Sequence, residues 1–283
     1  MPPIAIVSAM HEELRALLPL LQQPVRHQLA GREFHEGEIH GRPVVLVLSG
    51  IGKVAAATTA ALLVQRFDAA PLVFTGVAGG LGAGVSVGDV VVAHQLIQHD
   101  MDASPLFPRF EVPLTGRSRF DVDAPLADAL AASVQRRLQD AGRWAGATGL
   151  ASLLGARAPA ELGKHGVNDA AVGETASGPQ RGRGERRPTL HRGLVASGDR
   201  FISSQSESAA LRAALPDVLA VEMEGAALAQ VCIDFGRPFA VLRTISDRAD
   251  DTAHIDFTRF IDEVASVYTR VIVADWLAGA ASA

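Results

Sequence analysis

Residues 219–250, LAVEMEGAALAQVCIDFGRPFAVLRTISDRAD, restrict the fold more than any other stretch of the chain. A short apolar run, 219–221, ends in Glu222, Met223 and Glu224. A nearly all-apolar segment follows from 226 to 235. Gly236 and Pro238 stop it, because glycine closes helices and proline cannot continue one. A second apolar run, 239–242, leads into Arg243, Ser246, Asp247 and Asp250. The spacing predicts strand, buried helix, strand, with carboxylates where each strand finishes. In parallel α/β sheets ligands bind at the carboxyl ends of strands, and two carboxylate clusters there suit an acid-dependent bond cleavage. The same residues also suit a plainer role. Acidic side chains at a helix start gain ~0.3–1 kcal/mol from the macrodipole, which accommodates Glu222 and Glu224, and Asp247 fits a turn or cap.

The rest of the chain repeats this alternation. Residues 4–9 form a β-type run that leads through Met10, His11, Glu12 and Glu13 into a leucine-rich helix, 14–21, stopped by Pro24. Residues 34–39 and 44–48 read as a hairpin turning at His40-Gly41-Arg42. An Ala-rich helix, 54–66, precedes a strand at 72–75 that opens into a glycine-rich loop, 76–84. Further strands are expected at 89–93 and 193–197, and helices at 125–141, 205–214 and 256–277. Strands and helices in alternation define an α/β class with a mostly parallel or mixed sheet. Residues 143–192 break the pattern, and 155–192 read as a flexible insertion rather than a second domain. That stretch is rich in Gly, Ala, Pro and Arg, with seven Lys/Arg against four Asp/Glu.

Composition removes several function classes. The chain has 283 residues, 48% of them apolar, which is enough for one sizeable α/β core. Apolar runs stay short of the ~18 residues a membrane helix needs. The opening MPPIAIVSAMHEE lacks the pattern of a signal peptide, so the expected compartment is the cytoplasm. Net charge is −5, and the lack of a basic patch argues against nucleic-acid binding. The single cysteine, Cys232, falls in the buried helix and reads as packing.

Local motifs for other chemistries fail on spacing. Gly52-Lys53 would end a phosphate loop, but Val47 stands where its first glycine belongs and Val54 where a Ser or Thr would hold magnesium. Gly84-Val85-Ser86-Val87-Gly88 matches a nucleophile elbow in letters only, since glycines precede Ser86 and a strand follows it. His99-Asp100-Met101-Asp102 lacks the partners of a metal site and reads as a structural or substrate-shaping turn.

Seven pieces, in order, carry a resemblance. They are Ala9-Met10-His11-Glu12-Glu13, Ser49-Gly50-Ile51-Gly52-Lys53-Val54-Ala55-Ala56, Thr75-Gly76-Val77-Ala78-Gly79-Gly80, Val87-Gly88-Asp89, Ser197-Gly198-Asp199-Arg200-Phe201-Ile202, Val221-Glu222-Met223-Glu224 and Arg243-Thr244-Ile245-Ser246-Asp247. Together the chain resembles the 5′-methylthioadenosine/S-adenosylhomocysteine nucleosidases of the purine nucleoside phosphorylase superfamily, from residue 4 to about 270, the insertion excepted. The resemblance implies one three-layer α/β/α domain over 1–283, a central mixed sheet that curls toward a barrel, and a homodimer. It implies no metal and no cofactor.

The resemblance also assigns roles. Asp247 is expected to protonate N7 of the departing purine, and Glu13 to position and deprotonate the attacking water. Glu224, with Met223 and with Glu222 beside them, would hold the ribose hydroxyls. Phe201 would stack on the base and the backbone of Ile202 would read its edge. Ser246 would hold Asp247, Met10 would line the sugar end, and Gly79 would let the chain approach the substrate. Leu106, Phe107 and Pro113 of a neighbouring subunit are the candidates for covering the 5′-alkylthio group. Two departures from the family pattern stand out: Val77 where serine is usual, and His11 where an acid is often seen. Alternatives are a phosphate-dependent phosphorylase, which Glu13 would oppose by repulsion, and a nucleosidase for futalosine-type nucleosides.

Overall fold

The computed structural model describes residues 1–139, 187–250, 253, 260 and 264–279. Most of the predicted insertion, 155–186, lies outside the described residues. Its last residues are extended: a strand starts at Leu190, three residues before the expected position, because Leu190, His191 and Arg192 pair with Val90, Val91 and Val92.

The strands are β1 (Ile4–Ser8), β2 (Gln22–Leu29), β3 (Arg32–Ile39), β4 (Arg42–Leu48), β5 (Leu72–Gly80), β6 (Val90–Gln98), β7 (Arg119–Asp121), β8 (Leu190–Ser197), β9 (Val218–Glu222) and β10 (Phe239–Asp247). The helices are α1 (His11–Leu17), α2 (Lys53–Phe67), α3 (Ala124–Gln139), α4 (Gln205–Ala214), α5 (Gly225–Asp234) and α6 (Ser266–Gly279). The leucine-rich helix is shorter than expected, closing in a 3-10 turn at Leu18–Leu20 where Pro19 enters. Of the predicted final helix, 266–277 falls in α6, whereas 256–259 and 261–263 lie outside the described residues.

The strands form one mixed sheet. Five of them close on themselves: β5 pairs β10, β10 pairs β6, β6 pairs β8, β8 pairs β9, and β9 returns to β5. From this barrel the sheet continues through β1, β4, β3 and β2. Helices cover both faces, giving the predicted three layers. The two-residue period of β1 demonstrates the layering. Ile4 and Ile6 join Leu14, Leu17, Leu130, Val273 and Trp276 under α1, α3 and α6. Ala5 and Val7 join Ala56, Ala60, Leu63 and Leu228 under α2 and α5. Each face is apolar because each is covered, as buried parallel strands require.

Residues 76–80 are strand rather than loop, although five residues of glycine, alanine and valine make poor strand formers. What keeps them extended is their neighbour. Gly76, Val77, Ala78 and Gly79 pair in parallel with Arg243, Thr244, Ile245 and Asp247 of β10. The register slips by one residue between Ile245 and Asp247. Such a bulge re-aims side chains, and here it turns two successive residues, Ser246 and Asp247, toward one cavity.

Candidate active site

The cavity holds about 230 Å³ at the carboxyl ends of β1, β5, β9 and β10. Every residue expected to bind substrate lines it: Met10, Gly79, Phe201, Ile202, Glu222, Met223, Glu224 and Ser246, together with Asp247. Ile51, Val77, Arg200 and Arg243 complete much of the wall.

Glu13 stands just behind this wall. It sits in the first turn of α1, and one carboxylate oxygen accepts the Met10 backbone N–H at 3.3 Å, as a helix-capping acid does. Its other oxygen, Oε1, is buried without a hydrogen-bond partner. A Cβ built on Gly76 would lie 3.6 Å from that oxygen and 2.7 Å from Arg243 Nη1, so only glycine fits between the cavity and this pair. Burial pushes the Glu13 carboxyl up to about 7, against the opposing pull of Arg243.

Glu222 and Glu224 lie two residues apart in different circumstances. Glu222 is fully engaged. It receives Arg243 Nη2 at 2.5 Å and Nε at 3.2 Å, the Gly225 N–H at 2.9 Å, and the Ser197 hydroxyl. Its carboxylate therefore starts α5 and anchors Arg243, which is wholly buried and lies 4.3 Å over the Phe74 ring. Glu224 accepts the Gly52 N–H at 2.9 Å, and its other oxygen lies 4.0 Å from Arg243. Burial, and then the charge of Glu222, raise its carboxyl to about 7.

At the opposite end, Asp247 closes β10. Ser246 Oγ donates to Oδ2 at 2.8 Å and the Ala249 N–H donates to Oδ1 at 2.7 Å. A Cβ on Gly79 would come within 2.9 Å of Oδ1. Gly76 and Gly79 are thus the close-approach points for the two ends of the site, about 10 Å apart along β5. Phe201, 44% exposed, stands at the mouth.

Three contributors had no role in the sequence reading. Ser197 links Glu222 to the Ala226 N–H, the start of α2 holds Glu224 through Gly52, and Ile51 lines the wall. Each falls inside a quoted motif, which was the available signal. Arg15 is exposed, pairs with Glu12, and does not line the cavity. Among the described residues no group of three or more His, Cys, Asp or Glu is placed to hold a metal ion, and no helix is long and apolar enough to cross a membrane.

A closed mixed barrel flanked by helices, with buried acids at the carboxyl ends of its strands, defines a class, and comparison with known proteins agrees. The phosphorylase superfamily profile matches residues 3–274. The 5′-methylthioadenosine/S-adenosylhomocysteine nucleosidase of Bacillus thuringiensis (strain Al Hakam) is 30% identical over 270 residues, 95% of this chain and 96% of that protein. The crystal structure of the Neisseria meningitidis enzyme of that name, bound to methylthio-immucillin-A, matches with a TM-score of 0.77 and 30% identity, covering 99% of this chain and 100% of the other. Futalosine hydrolase of Helicobacter pylori matches with a TM-score of 0.74 and 28% identity, covering 96% of each chain. The chain belongs to the phosphorylase superfamily and, within it, to the family of 5′-methylthioadenosine/S-adenosylhomocysteine nucleosidases.

Proposed function

We propose that this protein hydrolyses the N-glycosidic bond of 5′-methylthioadenosine, S-adenosylhomocysteine or a closely related purine nucleoside, releasing the base and a ribose derivative. The observation that carries the reading is one cavity with Glu224 in its wall and Glu13, one oxygen bare, just behind it at one end, and a hydrogen-bonded aspartate at the other.

The chemistry follows from that separation. As the C1′–N9 bond breaks, its electron pair moves into the purine, and Asp247 supplies the proton that lets the base leave neutral. Ser246 and the Ala249 N–H fix the direction of the carboxyl. Water adds to C1′ and gives its proton to Glu13, whose carboxyl at about 7 matches a base working near neutral pH. Glu224 binds the ribose hydroxyls, whose donation favours its charged form. Buried carboxylates stabilise the cationic sugar of the transition state, the two-carboxylate logic of glycoside cleavage.

Water, not phosphate, is the nucleophile in this reading. Phosphate needs positive donors. The cations lining the cavity among the described residues are Arg243, already engaged by Glu222, and Arg200, which pairs with Glu207. The likeness to a futalosine hydrolase supports a second reading of the substrate, with the same bond broken. We further propose a single-domain cytoplasmic homodimer in which Leu106, Phe107 and Pro113 of a second copy cover the 5′ group. Exposed Leu106 and Leu114, and exposed Ile51 beside the mouth, support it.

The test is release of free base from methylthioadenosine, adenosylhomocysteine, inosine and aminofutalosine in phosphate-free buffer. Base from the first two is expected. Turnover that appears only on adding phosphate overturns hydrolysis, and base from aminofutalosine alone reassigns the substrate.

A further inference from the structure

Behind the cavity wall lies a polar cluster that the reaction does not use. Helix α2 begins without a side-chain cap: Gly52 stands at its N-cap with φ +97, and the first N–H groups of a helix have no partners within it. Two carboxylates from distant segments take them. Gly52 N–H donates to Glu224 Oε1 at 2.9 Å, and Lys53 N–H donates to Asp199 Oδ1 at 2.8 Å. Asp199 lies two residues before Phe201, so the start of α2 touches both the sugar carboxylate and the segment at the mouth.

A second set of bonds fixes that start. Lys53 Nζ donates to Asp100 Oδ1 at 2.6 Å and to Gln98 Oε1 at 3.2 Å. The other Asp100 oxygen accepts the Asp199 N–H at 2.9 Å. Gln98 Nε2 in turn donates to Gln230 of α5, the helix that follows Glu224. The ring therefore runs through the start of α2, the end of β6, the end of β8 and α5. The Lys53 side chain is only 16% exposed, so its ion pair is less screened than a surface pair. Partial burial pushes the Asp100 carboxyl up, but the bonds from Lys53 and from the Asp199 amide hold it below the ordinary carboxylate range. A Cβ on Gly52 would meet Asp199 Oδ1 at 3.1 Å, in a backbone conformation that side chains rarely adopt, so the junction leaves little room for change.

We infer that Lys53, Asp100 and Asp199 form a latch that keeps Glu224 and the Phe201 segment in register, and that Lys53 is a positioning residue for nucleoside binding. None of the three lines the cavity, but Ile51, Arg200, Phe201 and Ile202 beside them do. Without the ion pair, the first turn of α2 reaches Asp199 and Glu224 only through the Gly52 and Lys53 amides, and displacements well under an ångström matter at such sites. The inference rests on the nucleosidase reading for its kinetic consequence, though not for its structural one.

Lys53→Met keeps the aliphatic stem and removes the charge. Hydrogen exchange at the Gly52, Lys53 and Asp199 amides of the ligand-free protein is expected to quicken about tenfold, with Tm within about 3 °C of wild type. KM for methylthioadenosine is expected to rise about tenfold with kcat changed less than about threefold, since uniform binding is lost rather than transition-state contact. Lys53→Arg should restore most of the affinity. Lys53→Met/Asp100→Asn should be no worse than the worse single variant, because both break the same Lys53–Asp100 pair. Unchanged amide exchange in Lys53→Met overturns the latch, as do an unchanged KM or effects that multiply in the double variant. A wild-type protein that releases no base overturns the nucleosidase reading alone, and the exchange measurement then still decides whether the latch exists.

Discussion

The two ends of the cavity solve opposite problems with the same functional group. At the end of β10, both carboxyl oxygens of Asp247 receive hydrogen bonds, from Ser246 and from the Ala249 N–H. At the start of α1, Glu13 receives one bond from Met10, leaving Oε1 buried and unpartnered. A carboxyl held from two directions is aimed, and suits delivery of a proton to one atom of a base. A carboxyl with a bare buried oxygen leaves hydrogen-bonding capacity for a water. Leaving such a group unmatched costs free energy, and an active site is where a fold tolerates that cost. The difference between the ends is thus one of bond supply. It is written into local backbone, a bulge at one end and a helix cap at the other.

The contrast breaks most visibly if Asp247 is not the proton donor. Asp247→Asn keeps the shape and an acceptor but removes the acid, and kcat for methylthioadenosine should fall about 10⁴-fold, the upper range for general acid catalysis. Binding of adenine, measured by calorimetry, should change far less. Wild-type turnover in this variant would remove the acid from Asp247. Glu13→Gln should cost about 10³-fold in kcat, somewhat less, because cavity water is still present and Arg243 still lies beside it. The two variants should also differ in pH profile. In wild type, kcat/KM should climb steeply as pH rises through about 7, where both Glu13 and Glu224 lose a proton, and the limb should drop to a one-proton slope in Glu13→Gln. A slope unchanged by the substitution assigns the base elsewhere.

The ends also differ in how far the sequence exposes them. The carboxylate-tipped strands of 219–250 were readable because apolar runs stop abruptly at charged residues. Pairing among β5, β9 and β10 then brings their ends to one cavity. The bulge that turns both Ser246 and Asp247 inward leaves no trace in composition, since it arises from pairing with β5. By sequence β5 ends at 75, because glycine has low strand propensity. It continues because Arg243 and Asp247 occupy the space where side chains at 76 and 79 would stand. β2 is illegible for a different reason: most of Gln22–Leu29 is exposed, and Pro24 lies inside it, so neither alternation nor propensity marks an edge strand. The bond from Gly52 to Glu224 joins residues 172 positions apart, beyond the reach of any local pattern.

A smaller effect tests the same contrast without substrate. The folded-state carboxyl of Glu13 lies near 7 against an ordinary 4.5, so folding favours its protonated form. That contribution is fully present below pH 4.5 and is lost as pH rises through 7, because charging Glu13 in the fold is harder than charging it in the unfolded chain. At one pKa unit per 1.36 kcal/mol, the charged group costs the native state about 3 kcal/mol at pH 8 and under about 1 kcal/mol at pH 5. Glu13→Gln removes the pH-dependent part and keeps the side-chain size. Its stability relative to wild type should therefore rise by roughly 2 kcal/mol between pH 5 and pH 8, read as a Tm difference that widens by about 5 °C in ligand-free scans. The charge of Glu224, itself raised to about 7, acts in both proteins and largely drops out of this difference. Parallel curves would mean that Glu13 is solvated in the empty protein, and its unpartnered oxygen would then lose its standing as the place where the attacking water is held.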